Sequence, residues 1–123
     1  MPNKLPSVDY LHKALLYDPD TGLLTWRKRP LEHFENHPQG ALKAWFNWNH
    51  RHAGKPAFRC LPQSGTVYHG TLDGFRFPAA RIAYTLAHGR LRDTDVVYHR
   101  NRNGLDNSSS NLALRVRTKR ITG

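Results

Sequence analysis

The chain has 123 residues, 38% of them hydrophobic, which suits one compact domain with a modest core. Lysine and arginine number 19 against 9 acidic residues, a formal net charge of +10, and this excess favours a polyanionic partner, nucleic acid first. No apolar run approaches the ~20 residues of a membrane span, and the lone Cys60 excludes an intrachain disulfide and leaves a cysteine-based zinc site unsupported.

The opening "MPNKLPSVDYLHK" lacks the apolar core of a signal peptide, so a reducing, cytoplasmic setting is expected. Ser7 is placed to cap a helix running through about Tyr17, with Val8, Leu11, Leu15 and Leu16 on one face. Asp18 to Gly22, "DPDTG", is a turn. The alternation of Leu23 to Arg29 then predicts a half-buried strand. Pro30 to Gly40 is polar and reads as loop. Ala41 to Lys55 reads as a helix ending near Gly54, with Trp45 and Trp48 on one side. Exposed, these tryptophans and Trp26 would stack on bases. In a small domain such residues are more often core, and core is the expectation.

Thr66 to Phe77 reads as a hairpin around Asp73-Gly74. Pro78 to Gly89 is a helix with proline near its start and glycine at its end, and Ile82, Ala83 and Leu86 face the core. Val96 to His99 is a short strand. A loop runs to about Ser108, Ser108 to Leu112 forms one helical turn, and Leu112 to Val116 is a second strand. There is no internal repeat, linker or low-complexity tract. The fold class is α+β in a single domain: an N-terminal accessory part over residues 1–60, and a hairpin, helix and final motif over 61–123.

The stretch around His99 has two readings. A histidine in a strand is ordinarily a satisfied polar residue, and clustered Asn, Asp, Gly and Ser are ordinary turn chemistry. A histidine at a strand end is also placed to act as general base on water. A hard cation beside it would stabilise the leaving oxygen of a phosphodiester, with Asn or Asp oxygens as its few protein ligands.

Four stretches in order resemble the small HNH endonucleases of phages and mobile elements. "YLHKALLYDPDTGLLTWRKRP" resembles the family's opening helix, Tyr-Asp-Pro-x-Thr-Gly turn and Leu-x-Trp strand. "AWFNWNHRHAGKPA" resembles its central Trp-Asn…Ala-Gly-Lys segment, and "DGFRFPAARIAYTLAHGRL" its hairpin and helix. "YHRNRNGLDNSSSNL" resembles the motif Asp-His-x-Asn-Gly-x-x-x-Asp-Asn-x-x-x-Asn-Leu. The resemblance implies a ββα-metal fold, with His99 as general base, Asn107 and Asn111 in the catalytic motif, Asn111 organising the fold and sometimes serving as a metal ligand, and Mg or Mn as cofactor if the site is active.

The departures are chemical. Tyr98 stands where the family places a metal-binding aspartate, and Arg120 where it places a liganding asparagine. Ala79-Ala80-Arg81 replaces an Ala-His-Arg, and the chain ends at Gly123, which would cut short the last helix of the motif. A guanidinium is always protonated, has no lone pair to offer and repels a divalent ion. Such a site suits gripping a phosphate better than cutting it. The expectation is a DNA-binding protein related to these endonucleases with cleavage impaired or lost. Two alternatives stay open: a Mg-dependent nicking endonuclease using His99 and Asn111, and a phage-encoded module that binds a host nucleic-acid enzyme through an acidic surface.

Duplex DNA is the expected partner, no membrane partner is expected, and a bacterial host cell with a phage or prophage origin is the implied setting. The candidate phosphate contacts are Arg81, Arg90, Arg92, Arg100, Arg102, Arg115, Arg117, Lys119 and Arg120, opposed only by Asp93, Asp95 and Asp106. Arg27, Lys28 and Arg29 add an N-terminal patch. His33, His37, His50, His52, His69 and His88 are scattered, and the two-residue spacing of His50 and His52 does not suit one helix face, so zinc is not expected.

Overall fold

The computed structural model describes residues 4–63 and 65–115. Ser7 opens α1 (Val8–Ala14): its hydroxyl accepts from the Tyr10 amide, and Asp9 sits in the first turn and Lys13 in the last. The helix ends at Ala14, short of the expected Tyr17. Leu15–Tyr17 is a strand instead, β1, antiparallel to β2 (Leu24–Trp26), with Leu15 opposite Trp26 and Tyr17 opposite Leu24.

The turn between them explains the difference. The Asp18 carboxylate accepts from the Asp20 amide, its carbonyl from Gly22, and its own N–H donates to the Leu23 carbonyl. Once the chain reverses there, ladder bonds become available to Leu15, Leu16 and Tyr17, and apolar periodicity loses to them. Leu16 consequently points outward, 59% exposed, rather than joining Leu11 in the core. β3 (Pro56–Ala57) completes this sheet on the far side of β2. β2 is shorter than expected, and Arg27 to Arg29 lie beyond it.

The polar segment after β2 contains a 3-10 turn, Leu31–Phe34, which buries Phe34. α2 (Ala41–His52) follows. β4 (His69–Leu72) and β5 (Phe75–Pro78) form the expected hairpin. Its turn residues Asp73 and Gly74 both have positive φ, 53° and 83°, as a two-residue turn that matches strand twist requires. α3 (Ala79–His88) runs from Pro78 to Gly89 as the sequence predicts, and buries Ile82, Ala83 and Leu86. β6 (Val96–His99) pairs antiparallel with β7 (Leu112–Arg115) after a 3-10 turn, Ser109–Asn111. Val116, expected in β7, and the final helix fall outside the described residues.

The fold is a small α+β domain with three two- or three-stranded antiparallel sheets among the described residues. Its main core joins Leu11 and Leu15, Leu24 and Trp26, Phe58, Leu72 and Phe77, and Ile82 and Leu86. Each large aliphatic side chain buried there gains about 1.5–3 kcal/mol on leaving water. Trp26 is core, as expected. Trp48 meets it edge-on at 5.0 Å and 90°, and Trp45 is half-buried with its indole N–H on the Arg29 carbonyl at 2.8 Å. No helix among the described residues is long and apolar enough to cross a membrane.

Candidate functional site

β6 and β7 lean on α3. Leu112 packs with Ala80 and Ala83, and Val97, Tyr17 and Tyr84 close around them. Opposed residues of an antiparallel pair share a face, so His99, opposite Leu112, turns toward this packed side, while Tyr98 turns outward and is 38% exposed.

The half-buried His99 ring meets one partner. Its Nε2 lies 2.9 Å from Oδ1 of Asn107. An amide oxygen only accepts, so Nε2 is the donor in this bond. Asn107 is itself fixed: it is buried, and its backbone carbonyl accepts from the Tyr17 hydroxyl at 2.6 Å. Burial, with Asp106 and Asp18 nearby, pushes that phenol up to about 12, so it stays a donor at any physiological pH. The turn after β1 presses on the same loop, and the Ser109 amide donates to the Pro19 carbonyl.

The asparagines of the loop are spent on its own backbone. Asn111, 7% exposed, accepts the Asn101 amide on Oδ1 and donates through Nδ2 to the Asp106 carbonyl at 2.8 Å. Asn101 accepts the Asn103 amide and donates to the Asp106 carboxylate, and Asn103 accepts the Leu105 amide. The Asp106 carboxylate also takes the Ser108 hydroxyl and amide, and these bonds hold it below the usual carboxylate range.

Asn111 thus organises the loop, with both ends of its amide bonded to backbone. The other oxygens around His99 are engaged too, Asn107 with the imidazole and Asp106 with Ser108 and Asn101. Tyr98, on the opposite face, lies under the Arg115 guanidinium at 5.4 Å from its ring centroid. The donor set therefore does not fit Mg or Mn. No group of three or more His, Cys, Asp or Glu among the described residues is placed to hold a metal ion.

The cations divide. Arg27, Lys28, Arg90, Arg92, Arg100, Arg102 and Arg115 are exposed. Arg92 also pairs with the buried Asp95 at 3.2 Å while remaining 64% exposed. Arg81 is half-buried and donates to the carbonyls of Asp95 and Arg92 at 2.6 and 3.2 Å, so it ties α3 to the strand entry instead of facing solvent.

Arg29 is a plain correction. It is 1% exposed, so it touches no phosphate. Its guanidinium bonds Asp73 at 2.9 Å, the Tyr10 hydroxyl at 2.7 Å and His33 Nδ1 at 3.1 Å, and covers the rings of Trp48 and Phe34 at 4.7 and 4.8 Å. Arg117, Lys119 and Arg120 lie outside the described residues.

Sequence reasoning missed Tyr17 and Asn101 as parts of the site. The alternation of Asn101, Asn103 and Asp106 with their amide partners two residues on was the available signal for side-chain-closed turns. Compared with protein-family models, curated proteins and solved structures, the chain finds no match.

Proposed function

We propose that the protein binds duplex DNA through its phosphates and does not cut it, as a relative of the HNH endonucleases whose metal site is gone. The observation that carries this reading is the fate of the oxygens near His99: each is bonded within the loop, while Arg100 and Arg102 of the same loop stand exposed, and Arg115 is exposed on the other face of the strand pair. Exposed guanidinium groups that form no ion pair are suited to phosphate contacts, which position a protein on DNA without reading its sequence. The His99–Asn107 pair then serves the loop.

The test is binding of the full chain to a random duplex across a salt series, together with plasmid nicking in Mg²⁺ and in Mn²⁺. Binding that weakens steeply with salt, with no nicking, supports the reading. Nicking that disappears in His99→Ala overturns the loss of cleavage and establishes the metal-dependent endonuclease. No duplex binding at low salt, with tight retention of an acidic host protein, establishes the protein-binding alternative.

A further inference from the structure

Between Glu35 and Asp73 the chain carries no acidic side chain, and Lys43, Arg51, Lys55 and Arg59 fall in that span. α2 lies within it. Its inner side is committed: Ala44 is buried, Trp48 packs on the core, and Trp45 and Asn49 donate to the Arg29 carbonyl. Its outer side presents Leu42, Lys43, Phe46, Asn47, His50 and Arg51, all exposed. These positions recur at the spacing of one helical stripe. Leu42 and Phe46 are 67% and 62% exposed, and the Phe46 ring stacks parallel to His50 at 6.1 Å.

Resting on the DNA-binding reading above, we propose that α2 is a second contact element and lays this stripe in the major groove. A helix of this length spans about 18 Å, and its cross-section suits a groove about 12 Å wide. The Asn47 amide, unbonded within the described residues, offers the donor and acceptor that the major-groove edge of adenine complements. Leu42 and Phe46 supply the apolar surface that meets thymine methyl groups. Lys43 and Arg51 sit about two turns apart along the stripe and reach phosphates on its flanks.

Arg27 and Lys28 extend that flank, the Lys28 ammonium lying 5.2 Å over the Trp45 ring. Glu32, an acid bordering this edge, pairs at 2.9 Å with Lys13, which also pairs with Asp9 at 3.3 Å. A polyanionic partner accounts for an exposed stripe that carries cations and no carboxylate.

The experiment uses the full chain and a labelled random 24-bp duplex, chosen at about two helical turns. Wild type is compared with Lys43→Glu/Arg51→Glu, with Phe46→Ala/Asn47→Ala, and with Arg100→Ala/Arg102→Ala as the reference for the other cluster. Circular dichroism and melting curves check the fold. The charge reversal is expected to weaken binding about tenfold or more and to reduce the log–log salt slope by about 2. The Phe46/Asn47 variant should keep its slope but lose the protection of guanine N7 from dimethyl sulfate that wild type confers.

If wild type binds and both α2 variants match it in affinity and N7 protection, the inference is overturned while the DNA reading stands. If wild type binds no duplex at low salt, both fall. Should a double variant melt below assay temperature, Asn47→Ala alone carries the same expectation for N7 protection.

Discussion

Arg29 shows how much one buried cation reorganises. Its guanidinium connects α1 through Tyr10, the 3-10 turn through His33, and the β4–β5 turn through Asp73. Burial, then the hydrogen bond to Asp73, pushes the Tyr10 phenol up to about 12, which keeps its proton in place. Removing one partner leaves a charge without its counterion, and the half-exposed carboxylate, at 39%, holds the cost below that of a fully buried pair. Asp73→Asn is therefore expected to lower the unfolding free energy by about 2 kcal/mol, read by urea titration. Asparagine tolerates the positive φ at this position, so the change adds no backbone strain and removes the charge together with one of the two acceptor oxygens that Arg29 and Tyr10 use. A variant as stable as wild type would show that the pair contributes nothing net.

His33 adds a pH dependence. Burial first, then the Arg29 charge, holds its ring below the ordinary histidine range, and burial does the same to His52. A second ring proton on His33 would have to enter at Nδ1, where the Arg29 N–H already points. The unfolded chain accepts these protons at about pH 6.5 and the folded chain does not. The contribution is complete above that pH and is lost as the pH falls toward the folded value. His33→Asn keeps an acceptor for Arg29 without a titrating ring, so its urea midpoint should fall less steeply than wild type between pH 7 and 5. Parallel curves would place the titration elsewhere.

Among the elements, the hairpin turn between β1 and β2 does more than reverse the chain. Gly22 has φ +78°, and a Cβ there would lie 2.4 Å from the Asn107 carbonyl carbon. Gly22→Ala combines backbone strain with a collision against backbone that has little room to yield, an expected loss of about 2–3 kcal/mol. Because Asn107 holds the His99 Nε2 proton, the same change should disturb the His99 ring nitrogens in ¹⁵N spectra. A melting shift with unaltered His99 resonances would separate the turn from the site.

The elements also show what could be read in advance. α3 was legible because proline, glycine and the apolar period agree on its limits. β6 was legible from Val96 and Val97. α1 was overextended because Leu15 and Leu16 continue an apolar period that only the pairing with β2 overrules. Arg27, Lys28 and Arg29 look alike in sequence; what sorts the third from the others is Asp73, on a different hairpin. In the site, His99 stood out as the histidine ending β6. Asn111 was legible as an asparagine that organises the fold; the groups it holds, the Asn101 amide and the Asp106 carbonyl, were not, because they depend on how the loop closes.

At the scale of the molecule the net charge of +10 decides how association responds to solvent. Each phosphate neutralised releases counterion, so affinity should fall on a log–log plot with a slope of about −0.9 per contact. Replacing Arg117, Lys119 and Arg120 together by alanine removes three cations whatever conformation that segment takes. The slope is expected to flatten by up to about 3, measured by anisotropy with the same random duplex. An unchanged slope would confine the contacts to the exposed lysines and arginines of the described residues.

The Tyr17 hydroxyl reaches the Asn107 carbonyl across 90 positions of sequence, and Pro19 reaches Ser109 beside it. A ribosome makes these partners seconds apart. The first hairpin can form while the chain is still emerging, but its clamp has nothing to grip until the closing strands have been made. Formation of the His99 loop is thus a late, long-range closure, the kind of step that slows folding. A shortened transcript should yield the hairpin without the site.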